Sequence, residues 1–274
     1  MFGLVVAFQN YQPYTGVLNS PFVGFAHFKD FFSGPQFPML MRNTLILSLY
    51  NIVFYFPAPI ILALLLNEIR STVYKRVVQT MVYVPHFISM VIVASITYML
   101  LTGGSTPSQA GIIHKLHQNM TGVAYNFLGE PAFFRPMITV QVIWKETGWG
   151  TIIFLAALSG VDEQLYEAAI IDGAGRWKQL WHITLPSIKG TIVIMLILRM
   201  GTVLDNGFEH IFLMSNALNR SVSEVFDTYV YTTGIKQASF SYAAAVGLFK
   251  SIVSVILVQT VNSLAKKTGE SGLY

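Results

Sequence analysis

The chain has 274 residues, 53% of them hydrophobic and only 11% charged, and its mean hydropathy is +0.55. That charge content is about half of what a soluble domain carries, so the chain reads as an integral membrane protein, and its formal net charge of +4 reads as loop charge rather than a nucleic-acid surface. The absence of cysteine excludes a disulfide scaffold, a thiolate metal site and a Cys nucleophile.

The first residues, MFGLVVAF, are apolar but too short to span a bilayer. They are expected to be the outer end of a helix whose beginning is missing, from either a shortened chain or a longer natural one. No basic region followed by a cleavable apolar stretch marks a signal peptide. Five spans of roughly 20 residues, the length that crosses the hydrocarbon, are predicted at 43–66, 80–101, 136–158, 190–214 and 242–265. They are predicted as helices, because hydrocarbon offers backbone groups no water and no period-two alternation marks a barrel. The fold class is therefore all-α, a polytopic membrane helix bundle forming one domain over 1–274. Pro57 and Pro59 predict a kink in the first full span, and Pro85 sits near the end of the next.

Basic residues set the orientation. Arg70, Lys75 and Arg76, then Arg176, Lys178 and Lys189, then Lys266 and Lys267 fall in short basic regions on one side, expected to be cytoplasmic. The opposite loops are longer and sparser in charge. They are rich in turn formers and aromatics, as in NYQPYTGVLNSPFVGF and GGSTPSQAG.

Catalytic signatures are missing. The chain has no GxxxxGK[ST], HExxH or GxSxG pattern, and its six His residues lack metal-ligand spacing. Any ATP used in its work must be bound by another subunit.

One polar segment interrupts the apolar pattern: EAAIIDGAGRWKQLWHITLP, residues 167–186. Asp162 and Glu163 suit a helix N-terminus, and Glu167, Ala168 and Ala169 continue that helix with a small-residue face. Gly173 and Gly175 predict a sharp break, a second short helix should run from Arg176 to about Ile183, and Pro186 fits the first turn of the next membrane helix. The residues alone leave two readings open: an ordinary interfacial loop, or a knob gripped by a cytoplasmic partner.

The spacing EAA, three residues, Gly, nine residues, Ile, one residue, Leu-Pro is met by Glu167, Ala168, Ala169, Gly173, Ile183, Leu185 and Pro186. It resembles the EAA motif of binding-protein-dependent type I ABC importer permeases, with Asp172 and Ala174 matching the frequent DGA variant. The stretches RNTLILS, FPAPIILALLLNE, VPHFIS, GWGTIIFLAALSGVD and GFEHIFLM resemble the carbohydrate-uptake branch, including maltose, oligosaccharide and alginate importer permeases. The resemblance implies a bacterial inner-membrane subunit with a core of six helices and no cofactor of its own. It implies a second permease subunit of a different chain, two ATPase subunits that hold ATP and Mg, an extracytoplasmic sugar-binding protein and a carbohydrate substrate. Loop 159–190 becomes the coupling element, with Glu167, Ala168, Ala169, Asp172, Gly173, Ala174, Gly175, Arg176, Leu185 and Pro186 as its contact or shape-giving residues. For Glu167 the alternative is a local ion pair with Arg176 or Lys178.

Charges inside spans are costly and usually face a polar route. Lys145 and Glu146 in the third full span, and Arg199, Asp205 and Glu209 in the fourth, are the candidates, with Lys250 in the last. Trp144, Trp149, Asn206 and Phe208 add the aromatic faces and amide that sugars bind. The alternative is that Lys145 with Glu146, or Arg199 with Asp205, merely pair to hold helices together. Two other classes stay open on residues alone: a secondary transporter driven by an ion gradient, and a membrane scaffold.

Overall fold

A computed structural model describes residues 2–104 and 110–267. Residues 105–109, the middle of GGSTPSQAG, lie outside the described residues, as does the tail after Lys267. Among the described residues the chain is helical, with a single isolated antiparallel bridge between Gln9 and Phe22. The N-terminal Phe2–Phe8 winds as a 3-10 helix.

The longer helices in chain order are α1 (Ala26–Ser33), α2 (Gln36–Asn67), α3 (Thr72–Tyr83), α4 (Met90–Leu101), α5 (Ile112–Thr121) and α6 (Pro131–Ser159). They continue as α7 (Glu163–Ile171), α8 (Arg176–Gly201), α9 (Phe208–Met214), α10 (Phe226–Tyr231) and α11 (Phe240–Lys267). Among the described residues α2, α8 and α11 are long and apolar enough to cross a membrane, and a fourth span is formed if Thr72–Phe87 and Met90–Leu101 are counted together. Helix α6 is 29 residues long but carries Arg135, Lys145 and Glu146.

Two expected spans take a different form. The stretch 80–101 is not one straight helix: a 3-10 turn over Val84–Phe87 ends α3, and the two arms meet at 97°. Pro85 removes a donor from that turn, and Ser89 restarts the chain by accepting the Ile92 amide as N-cap of α4. The stretch 190–214 is also broken. Helix α8 stops at Gly201, and Gly207, at φ +81°, opens α9. Within α2, a π-helical turn over Asn51–Tyr55 precedes Pro57, so the missing proline amide falls where the hydrogen-bond ladder is already widened.

The described residues divide into two compact units. One takes in 1–51, 89–141 and 203–255; the other 52–88, 142–202 and 256 onward. In the first, Leu47, Phe134, Ile211 and Met214 form one buried cluster, and Phe31, Leu40, Phe226 and Val246 another. Beside them runs a buried polar ladder. Asn43 donates to the carbonyls of Ser221 and Glu224 at 3.0 Å each and accepts from Arg135 at 3.0 Å, while Ser48 donates to the Val203 carbonyl at 2.5 Å. In hydrocarbon such bonds and close packing, rather than expulsion of water, hold helices together.

In the second unit Ala63, Phe154, Leu158 and Ile188 pack together. Gly148 lets α6 approach α3 closely, since an added Cβ would overlap the Val82 carbonyl oxygen. Thr151 donates to the Pro59 carbonyl at 3.3 Å.

Candidate functional site

The polar segment builds a closed two-helix knob within the second unit. Asp162 caps α7 by accepting the Gln164 amide at 2.9 Å, as its side chain suggested. The C-terminus of α7 closes as a Schellman motif: Ala174 N–H donates to the Ala169 carbonyl at 2.8 Å, and Gly173 N–H to the Ile170 carbonyl at 3.0 Å. Gly173 sits at φ +76°, the left-handed conformation that glycine adopts without penalty. Among the described residues, apart from its two chain neighbours, no atom lies within 4 Å of where its Cβ would be, so the constraint is backbone strain and not space.

Two side-chain bonds pin the knob. Gln179 donates to the Ala174 carbonyl at 2.9 Å, and the Tyr166 and Thr184 hydroxyls meet at 3.0 Å. Glu167, Ala168, Asp172, Gly173, Gly175 and Arg176 are exposed; Ala169 and Ala174 are half-buried. Ile170 and Ile171 also stand in the open, at 64% and 85% exposure, an apolar pair on a polar loop. Among the described residues Glu167 makes no ion pair. Arg176, the local partner considered for it, pairs with Glu68 at 3.6 Å.

The expected separate second helix is not seen. From Arg176 the helix is continuous to Gly201, with a π-helical turn over Leu180–Thr184 directly before Leu185 and Pro186. The wide turn gives the proline ring room where a regular α-helix would press it against the preceding turn. The knob is thereby joined without interruption to a membrane-length helix.

The proposed pathway residues fall into two sets, one in each unit. In the second unit Lys145 is buried and donates to the His86 carbonyl at 2.7 Å while pairing with Glu146 at 3.0 Å. Glu146 also meets His86 Nδ1 at 2.7 Å, and the His86 ring stacks on Trp149 at 4.6 Å with planes 4° apart. Trp144 and Trp149 are each 48% exposed. The Arg199 guanidinium lies 5.4 Å above the Tyr55 ring, beside a cavity of about 250 Å³ lined by Tyr55, Pro59, Gly150, Phe154 and Arg199. Among the described residues its buried Nε has no hydrogen-bond partner.

In the first unit Asp205 does not use Arg199; it shares Lys250 with Asp227. Asn206 is buried, accepting from Asn51 at 3.2 Å and donating to the Thr44 carbonyl at 3.4 Å. Phe208 stacks with Phe212 at 5.3 Å and packs against Tyr231 at 4.9 Å, beside a cavity of about 540 Å³ that Asp227, Phe240 and Gly247 also line. Glu209 is exposed in the first turn of α9. Sequence reasoning missed His86, Tyr55 and Asp227. His86 was legible only as a polar residue beside a helix-breaking proline.

Long apolar helices, a polar loop closed into a rigid knob, and charged groups held within the helical bundle define a polytopic membrane permease. Residues 55–268 match the model for the binding-protein-dependent transport system inner membrane component. The chain belongs to that family, among its carbohydrate-importing ABC permeases. It is 55% identical to protein LplB and 54% identical to the polygalacturonan/rhamnogalacturonan transport system permease protein YteP, both of Bacillus subtilis (strain 168). Each alignment covers all of this chain and 85% or 84% of the relative. A chain in the crystal structure of a bacterial alginate ABC transporter, in complex with alginate pentasaccharide-bound periplasmic protein, superposes with a TM-score of 0.90 at 37% identity. That match covers all of this chain and 89% of the other.

Proposed function

We propose that this chain is one of two different permease subunits of an ATP-driven importer of acidic oligosaccharides or polysaccharides. Loop 159–190 lies in the cytoplasm and docks on a separate ATPase subunit. An extracytoplasmic binding protein delivers the carbohydrate, and ATP and Mg are held by two ATPase partners. Closure of the ATPases carries the docked loops together and opens the route outward; hydrolysis restores the inward-open state, so the permease is a two-state element biased by nucleotide.

The observation that carries this reading is the Schellman-closed turn at Gly173, running straight into α8. A loop with fixed ends transmits displacement to the helix it joins, whereas a slack one absorbs it. Exposed Glu167, without an ion pair among the described residues, supplies the charge for a partner's groove. The acidic substrate class is supported by Arg199, whose buried Nε among the described residues lacks a partner beside a cavity, and by Lys145, a second buried cation of the same unit. The similar proteins named above for polygalacturonan and for alginate handle uronic acid polymers, in keeping with cationic groups on the route.

The test has two arms. Reconstituted with its ATPases and binding protein, the permease should take up uronate oligosaccharides in step with ATP hydrolysis; uptake that collapses with the proton gradient alone would point instead to an ion-driven transporter. Because the native chain has no cysteine, Ala168→Cys provides a single thiol. It should react with an impermeant maleimide in inside-out vesicles and not in intact cells; the reverse pattern would sink the orientation.

A further inference from the structure

We propose that the groove between the second half of α2 and the start of α8 binds one anionic phospholipid, with its acyl chain in the groove and its phosphate on Arg176. The groove has a volume of about 530 Å³ and lies wholly within the second unit. Its walls are apolar, and they face outward. Ile61 and Leu65 are 56% and 62% exposed, and Trp177 and Trp181 are 74% and 62% exposed. Each pair is four residues apart, so each lines one face of its helix. Among the described residues more than half of each of these side chains is left uncovered.

Because the chain is an inner membrane component, the medium that meets such a face includes lipid. Two indoles one turn apart mark the level of the headgroups, where Trp side chains concentrate at membrane interfaces. Arg176 directly precedes Trp177 and closes one end of the groove opposite Glu68. At 3.6 Å, with both side chains more than 60% exposed, that ion pair is long and wet, and such pairs are weak. Most of the five guanidinium donors remain available, and a phosphate offers the two-pronged geometry they fit. Exposed Lys178 and Arg70 bring further positive charge to the same stretches of chain, against the single carboxylate of Glu68 in the groove. Apolar walls select a lipid tail, and the cationic end selects an anionic head over a zwitterionic one. The groove shares Arg176 and the start of α8 with the proposed coupling loop, so it is tested on the chain by itself, with no ATPase present. It would place a lipid on the first residue of the helix that leaves the knob.

The chain reports on the groove itself, because two of its four tryptophans line it. The experiment uses the full chain carrying Trp144→Phe and Trp149→Phe, in vesicles of phosphatidylcholine with rising fractions of brominated-acyl phosphatidylglycerol or brominated-acyl phosphatidylcholine. Half-maximal quenching should come at a mole fraction of the brominated phosphatidylglycerol lower by roughly fivefold or more, the preference expected of one basic side chain at a membrane surface. Arg176→Gln should erase most of that difference while leaving quenching by brominated phosphatidylcholine in place. Superimposable curves for the two lipids would mean annular lipid only and would overturn the proposal. So would an absence of quenching, which would mean that protein covers the groove, and so would displacement of the phosphatidylglycerol by inorganic phosphate.

Discussion

The amide of Ala174 donates to the carbonyl of Ala169 at 2.8 Å, the longer-range of the two bonds that close the turn between α7 and α8. It can form only while Gly173, between them, holds φ +76°. A side chain at a left-handed position costs about 1–2 kcal/mol, a factor of roughly 5–30 in the population of the closed turn. Gly173→Val should therefore lower ATP-driven uptake by about that factor while the protein still inserts in the membrane. Gly173→Asn should lose less, since Asn tolerates this conformation better than a β-branched residue. Full ATP-driven uptake by Gly173→Val would defeat this account of the turn.

Glu167 is exposed and, among the described residues, forms no ion pair, so removing its charge should cost the knob nothing internally. If it contacts an ATPase groove, Glu167→Gln should weaken docking by about 1.5–3 kcal/mol, the usual worth of a hydrogen bond to a charged group. Co-purification of the ATPase should then fall at least tenfold at limiting partner, with the melting temperature of the isolated permease unchanged. Undiminished co-purification, or a large loss of stability, would move Glu167 out of the interface.

Arg199 and Lys145 test the acidic substrate directly. Each replaced by Ala should reduce uptake of uronate oligosaccharides more than that of neutral ones of the same length. The two will not be equal. Lys145 already answers Glu146 and the His86 carbonyl, whereas Arg199 has an unpaired Nε beside a cavity. The larger uronate-specific loss, about tenfold for one charge-assisted hydrogen bond, is expected for Arg199→Ala. Equal effects on both substrates would remove the charge argument.

Much of this arrangement was written locally. Asp162 as a cap, Gly173 as the break and the apolar lengths of α2 and α11 follow from residues read a few at a time. The interruptions in the other spans did not, because hydropathy averages over a window and hides one capping serine. Ser89 sits in the apolar run HFISMVIV, where its weight is negligible although its hydroxyl restarts a helix. Pairings were still less legible. Glu146 meets His86 across 60 residues of sequence, and Asp205 takes Lys250 in place of the nearer Arg199. Such choices depend on which helices fold together, which no local spacing records.

Lys250 separates a structural charge from a transporting one. It is 14% exposed and is shared by Asp205 and Asp227, so a neutral replacement leaves two carboxylates side by side without a cation. Removing one partner of a fully buried pair costs about 3–5 kcal/mol, and less here because Asp205 is more than half exposed. Lys250→Met should therefore lower the thermal midpoint in detergent by several degrees and reduce the amount of folded protein. Adding Asp227→Asn should restore much of the loss, because one carboxylate then stays half-exposed and the other charge is gone. A double variant that folds normally but transports poorly would give the cluster a part in the pathway, in keeping with the cavity that Asp227 lines. One that recovers both stability and uptake would make it a clamp holding α10 and the loop before α9 to α11.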